Sequence, residues 1–167
     1  MCGSTKPATS ASASRVLFHP AIVLSIALSA AVVFVLVMLP LPRFAGDRRG
    51  VLLTYHAPIA VVFVVYAFDR AERWRLVSLR QWTIEVAVVV MSLIRAVFTF
   101  PPVSGHALFL SYALVSTPRN LLWWVAAVAL AEVVYVKLVL LRDLTLVSGA
   151  MVGVAAGILV RLIRHRD

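Results

Sequence analysis

The sequence points to an all-α, polytopic membrane bundle of six transmembrane helices with the N- and C-termini in the cytoplasm. Three observations carry this. First, 62% of the 167 residues are hydrophobic and only 14% are charged, with a mean hydropathy of +0.98. Soluble domains run nearer ~45–50% apolar and ~25% charged. Second, the apolar residues fall into six runs, most of them near the ~20 residues a spanning helix needs. Third, the basic residues cluster between those runs, as helix flanks do.

Residues 1–14, MCGSTKPATSASAS, are small and polar and read as a disordered tail. Residues 15–167 read as a single transmembrane domain. The apolar runs are Pro20–Leu41, Val51–Phe68, Thr83–Phe100, Pro102–Thr117, Leu121–Leu141 and Asp143–Ile163. A charged connector, DRAERWRLVSLRQW, separates the second from the third. The fourth run is short because Pro118 stops it. It needs tilt, partial burial or shielding by its neighbours, and five helices plus a re-entrant segment is the fallback architecture. A single cysteine, Cys2, excludes an internal disulfide and a multi-cysteine metal site.

With the N-terminus inside, ten basic residues face the cytoplasm: Lys6, Arg15, Arg70, Arg73, Arg75, Arg80, Arg119, Arg161, Arg164 and Arg166. Five face outward: Arg43, Arg48, Arg49, Lys137 and Arg142. That bias orients the chain and suits a plasma-membrane protein. The net charge of +9 is then topological, with anionic lipid headgroups rather than nucleic acid as the partner. The same topology puts Ser104-Gly105-His106 and Arg142-Asp143 on one outer face. The basic residues left there suit an anionic or phosphorylated lipid.

Inside the runs lie four ionisable residues: His56, Glu85, Arg95 and Glu132. Such groups are costly in lipid and are paired or functional. Glu85 is near enough to the inner end of its helix to reach the interface. Arg95 is twelve residues past Thr83 and Glu132 eleven past Leu121, both counted from inner ends. At ~1.5 Å rise per residue they share a depth, and an ion pair is expected. The four histidines are scattered, with no metal-ligand spacing. No Walker A, GxGxxG, CxxC or HExxH motif occurs, so neither a metal nor a cofactor is expected. Gly149, Gly153 and Gly157 form overlapping GxxxG motifs. They suit close packing inside the bundle, with a homodimer through that face as the other option.

The segment FPPVSGHALFLSYAL, Phe100–Leu114, resembles the second signature of the type-2 phosphatidic acid phosphatase superfamily, Pro-Ser-Gly-His opening the fourth of six helices on the outer face. That superfamily includes lipid phosphate phosphatases, polyprenyl pyrophosphatases and vanadium haloperoxidases. The junction VKLVLLRDLTLVSGAMVG, Val136–Gly153, falls where the family has Ser-Arg-x5-His-x3-Asp. Here Lys137 stands at the arginine, Asp143 at the nucleophilic histidine and Val147 at the orienting aspartate. A slip of one would put Arg142 at the histidine. The first signature is absent, with Arg95 the only basic residue near its place. The resemblance implies that His106 is a general acid and that Ser104 and the Gly105 N–H contact phosphate oxygens at a helix N-terminus. It also implies that Lys137, Arg142 and Arg95 supply positive charge. Asp143 is the candidate nucleophile, as an aspartyl-phosphate. The function implied is a divergent lipid-phosphate hydrolase or binder at the outer face. An inactive relative that binds anionic lipid or protein, and a small transporter, are the alternatives.

Overall fold

The computed structural model describes residues 19–38, 48–73, 77–97 and 103–166. Within its helices, the side chains of 36, 38, 48–55 and 95–97 lie outside that description. The expected N-terminal tail also lies outside it. Among the described residues the chain is all-helical with six helices: α1 Pro20–Met38, α2 Arg48–Arg73, α3 Leu79–Val97, α4 Gly105–Ser116, α5 Leu121–Val134 and α6 Thr145–Arg164. α5 continues as a π-helix over Tyr135–Leu140. Among the described residues two stretches, Leu121–Leu140 and Thr145–Arg164, are long and apolar enough to cross a membrane. The apolar stretches Pro20–Val35 and Gly105–Ser116 are shorter.

Local chemistry sets the helix ends. Ser104 caps α4, its Oγ accepting from the Ala107 N–H at 3.4 Å. Asn120 caps α5 through the Trp123 N–H at 3.2 Å. Ser78 does the same for α3 through the Gln81 N–H at 3.4 Å. α2 runs through the first half of the expected connector, to Arg73. No breaker interrupts it there, and Arg73 and Asp69, four residues apart, pair at 2.9 Å on its surface.

α4 is the centre of the bundle. Its residues from Ala107 to Ala113 are all buried, packed by α3, α5 and α6. The short fourth run is therefore shielded by its neighbours. Phe109 stacks on Phe63 of α2, centroids 4.1 Å apart, and Tyr66 meets it edge-on at 5.2 Å. α6 lies parallel to α4, with Gly149, Gly153 and Gly157 turned against it. A Cβ at Gly149 would collide with the Ser104 carbonyl oxygen, one at Gly153 with that of Leu108, and one at Gly157 would lie 2.7 Å from Val115 Cβ. The internal packing expected of this stripe is what is found. A homodimer has no exposed glycine surface there to use.

The other end of α4 is tied down by charge. Arg161 and Arg164, from the basic RLIRHR end of α6, donate to the Thr117 and Ser116 carbonyls at 3.4 Å each. Cations at a helix C-terminus also complement its dipole. Glu85 is 1% exposed. It pairs with Arg70 Nε at 2.8 Å and accepts from the Tyr66 hydroxyl at 3.0 Å and Gln81 Nε2 at 2.7 Å. Arg70, counted from the sequence as a topological charge, is the partner that draws this carboxylate inward.

Candidate functional site

The N-terminus of α4 and the α5–α6 junction form one polar cluster. The Ser104 N–H donates to the Thr145 carbonyl at 2.9 Å, joining two segments 41 positions apart in sequence. Gly105 allows the close approach of α4 to α3, since a Cβ there would stand 2.5 Å from the Ser92 carbonyl oxygen. The Ser104 N–H is used by Thr145 and the Ala107 N–H by the cap, whereas the Gly105 N–H, a first-turn donor, meets no acceptor among the described residues.

His106 follows immediately, half-buried. Its Nε2 lies 2.9 Å from Nδ1 of His56 on α2, the rings 4.7 Å apart and tilted by 52°. One nitrogen of this pair carries the shared proton and the other accepts it. His56 sits in the apolar run of α2, 50 positions away. Its place near the start of the second apolar run was the only sequence signal that it could join the site.

The π-helix sets the other wall. Its five-residue step, shown by the Leu141 N–H donating to the Val136 carbonyl at 2.9 Å, adds a residue to the helical period. Lys137 points from it to Asp143, Nζ to Oδ2 2.6 Å, and to Thr145 Oγ1 at 3.4 Å. The second carboxylate oxygen, Oδ1, accepts the Thr145 N–H at 2.9 Å and so opens α6. Burial pushes the Asp143 carboxyl up, but the hydrogen bonds from Lys137 and Thr145 and the Lys137 charge outweigh it and hold it at about 2. Asp143 is thus an ionised counter-ion with both oxygens occupied. An ammonium has three donors, and two of those on Lys137 are engaged. The ammonium also lies within electrostatic reach of the His106 ring.

Of the residues expected at the site, Ser104, Gly105, His106, Lys137 and Asp143 come together. Arg142 is exposed on the connector, in a left-handed conformation with φ 51°. The Arg95 side chain lies outside the described residues, and the expected Arg95–Glu132 pair with it. Glu132 is buried, and among the described residues neither of its oxygens has a hydrogen-bond partner. Thr145 is the residue that the sequence reading passed over. It closes both the Ser104 and the Lys137 contacts, and nothing in its local sequence marks it. Among the described residues no three of His, Cys, Asp and Glu converge as a metal set. No family model, curated protein or solved structure matches the chain.

Proposed function

We propose that this chain is an integral membrane protein that binds the phosphate of a lipid phosphate or pyrophosphate between the start of α4 and the α5–α6 junction. The observation that carries it is the convergence of His106, the Gly105 N–H and the Lys137 ammonium on one end of the bundle. Together they offer a dipolar N–H, a histidine proton and a positive charge, the donors a phosphate oxygen needs. The adjacency of Ser104 and Thr145 also suits the phosphatidic acid phosphatase-like arrangement that the Ser-Gly-His segment suggests.

The membrane reading rests on an inverted surface. Phe34, Phe68, Leu144 and Met151 are exposed, while Arg70, Gln81, Glu85 and Glu132 are buried. A bundle with an apolar exterior and polar interior suits lipid, where backbone groups must be satisfied within the helix. In this reading the six apolar runs are six spans of the plasma membrane, and the basic-residue bias sets both termini in the cytoplasm, which puts the site on the outer face.

Asp143 does not act as the nucleophile in this account. Hydrogen bonds from Lys137 and Thr145, one to each oxygen, draw charge from the carboxylate and weaken it as a nucleophile toward phosphorus. The chain therefore binds the headgroup without an aspartyl-phosphate step. The hydrogen bond between His56 and His106 favours one second reading. A proton held on that pair could pass to a leaving oxygen while water attacks phosphorus.

The test is a titration of the purified chain in phosphatidylcholine nanodiscs with phosphatidic acid, read by lipid retention, with phosphate release followed in parallel. The reading expects retention by the parent chain that is lost in His106→Ala and Lys137→Met. Equal retention by parent and both variants would sink it. Phosphate release lost in His56→Ala would promote the second reading over the first.

A further inference from the structure

Away from the phosphate cluster, the seam between α1 and α5 holds three buried polar side chains with no hydrogen-bond partner among the described residues. The buried face of α1 is Ile22, Ser25, Ser29 and Val32, and α1 packs on α5. Val32 touches Val136. Ser29 on α1 and Glu132 on α5 each lie one turn before that contact on the face that carries it, and Ser25 lies a further turn before Ser29. Ser25 is 0%, Ser29 7% and Glu132 4% exposed. Among the described residues, neither hydroxyl and neither carboxyl oxygen has a hydrogen-bond partner.

Each absence is informative. A serine inside an apolar helix ordinarily returns its hydroxyl to a carbonyl one turn back. Ser92 does this, bonding the Val88 carbonyl at 2.8 Å, whereas Ser25 and Ser29 do not. Glu132 lies eleven residues into the Leu121–Leu140 stretch, ~16 Å along an element ~30 Å long. A bare carboxylate at that depth is expensive, so it is neutralised by a proton or a bound cation. One carboxylate balances one positive charge. Carboxylate and hydroxyl oxygens are hard ligands, which suit an alkali ion rather than a soft metal.

We propose that Glu132, Ser25 and Ser29 form a sodium-binding site in the α1–α5 seam, where the ion exchanges with a proton on Glu132. The carboxylate supplies the charge, and the two hydroxyls supply neutral oxygens that a proton alone would not need.

Dicyclohexylcarbodiimide reacts with protonated carboxyls in apolar surroundings, so it reports the proton-bound form. The full chain in detergent is treated in choline chloride or in sodium chloride at equal ionic strength, and labelled peptides are mapped by mass. Glu132 should be labelled in choline, labelling should slow several-fold in sodium, and Glu132→Gln should remove it. Ser25→Ala and Ser29→Ala, small changes that keep the packing, should be labelled as fast as the parent in choline but lose the sodium protection. Labelling at Glu132 indifferent to sodium would overturn the proposal in favour of a permanently protonated carboxyl. So would no labelling at Glu132 in a chain whose helical circular dichroism is intact, since the carboxylate would then be ionised and paired within the chain.

Discussion

Replacing Gly153 by alanine should loosen the bundle and the proposed phosphate site together. A Cβ there would stand 3.0 Å from the Leu108 carbonyl carbon and 3.0 Å from the Tyr112 nitrogen, and closer still to the Leu108 oxygen. Carbon contacts are optimal at ~3.5 Å or more, so α6 must withdraw from α4 by at least ~0.5 Å. The obstructing atoms are backbone and cannot rotate aside. Overpacking of this kind costs about 1–3 kcal/mol. For a chain of this size that lowers the melting temperature by about 2–12 °C. Gly153 is two turns along α6 from Thr145, so the withdrawal also strains the 2.9 Å Ser104–Thr145 bond. The assay is thermal unfolding in detergent by circular dichroism, with phosphatidic acid retention measured on the same preparations. Ala155→Leu, on the exposed face of α6, is the control and should melt within about 1 °C of the parent. The reasoning fails if Gly153→Ala melts with the parent and retains lipid equally well.

Three further outcomes are expected. Breaking the buried Arg70–Glu85 pair by Glu85→Leu should cost about 3–5 kcal/mol, and Arg70→Met with Glu85→Leu should recover most of it; parallel melts of the single and double variants check this. Asp143 has its folded pKa below the ordinary 3.8, so its contribution is present above pH ~4 and is lost as pH falls toward about 2. The melting difference between the parent and Asp143→Asn should be constant at neutral pH and shrink over that acid window. A difference that grew on acidification would contradict the sign. His56→Ala removes one hydrogen bond to His106, worth about 1 kcal/mol, and should weaken phosphatidic acid retention by about fivefold without moving the melting temperature by more than a few degrees.

The six helices were legible because apolar runs and their breakers carry most of the information in such a chain. Pro118 marks the end of α4 directly, and the Ser-Gly-His resemblance marks its start. The extension of α2 to Arg73 was not legible. A stretch reading DRAERWR looks like a connector, and only the Asp69–Arg73 spacing hints that it stays helical. Glu85 and Arg70 each look interfacial when read singly. Their burial depends on the ends of α2 and α3 meeting, which hydropathy does not encode. At the site, Ser104, Gly105 and His106 were visible as a motif and Lys137 and Asp143 as a displaced one. The His56–His106 contact joins helices 50 residues apart. The role of Asp143 as counter-ion depends on the π turn that aims Lys137 at it. Residue type alone left Asp143 open as a nucleophile, and the geometry of its two oxygens speaks against that.

The location of the bound phosphate is the central claim, and photochemical mapping tests it most directly. A phosphatidic acid carrying a diazirine close to its headgroup would be irradiated with the full chain in nanodiscs, and the labelled peptides sequenced. The account predicts labelling within residues 103–107 and 137–145, competed by unlabelled phosphatidic acid and absent in Lys137→Met. Labelling confined to the basic end at residues 161–166, unchanged in that variant, would contradict it.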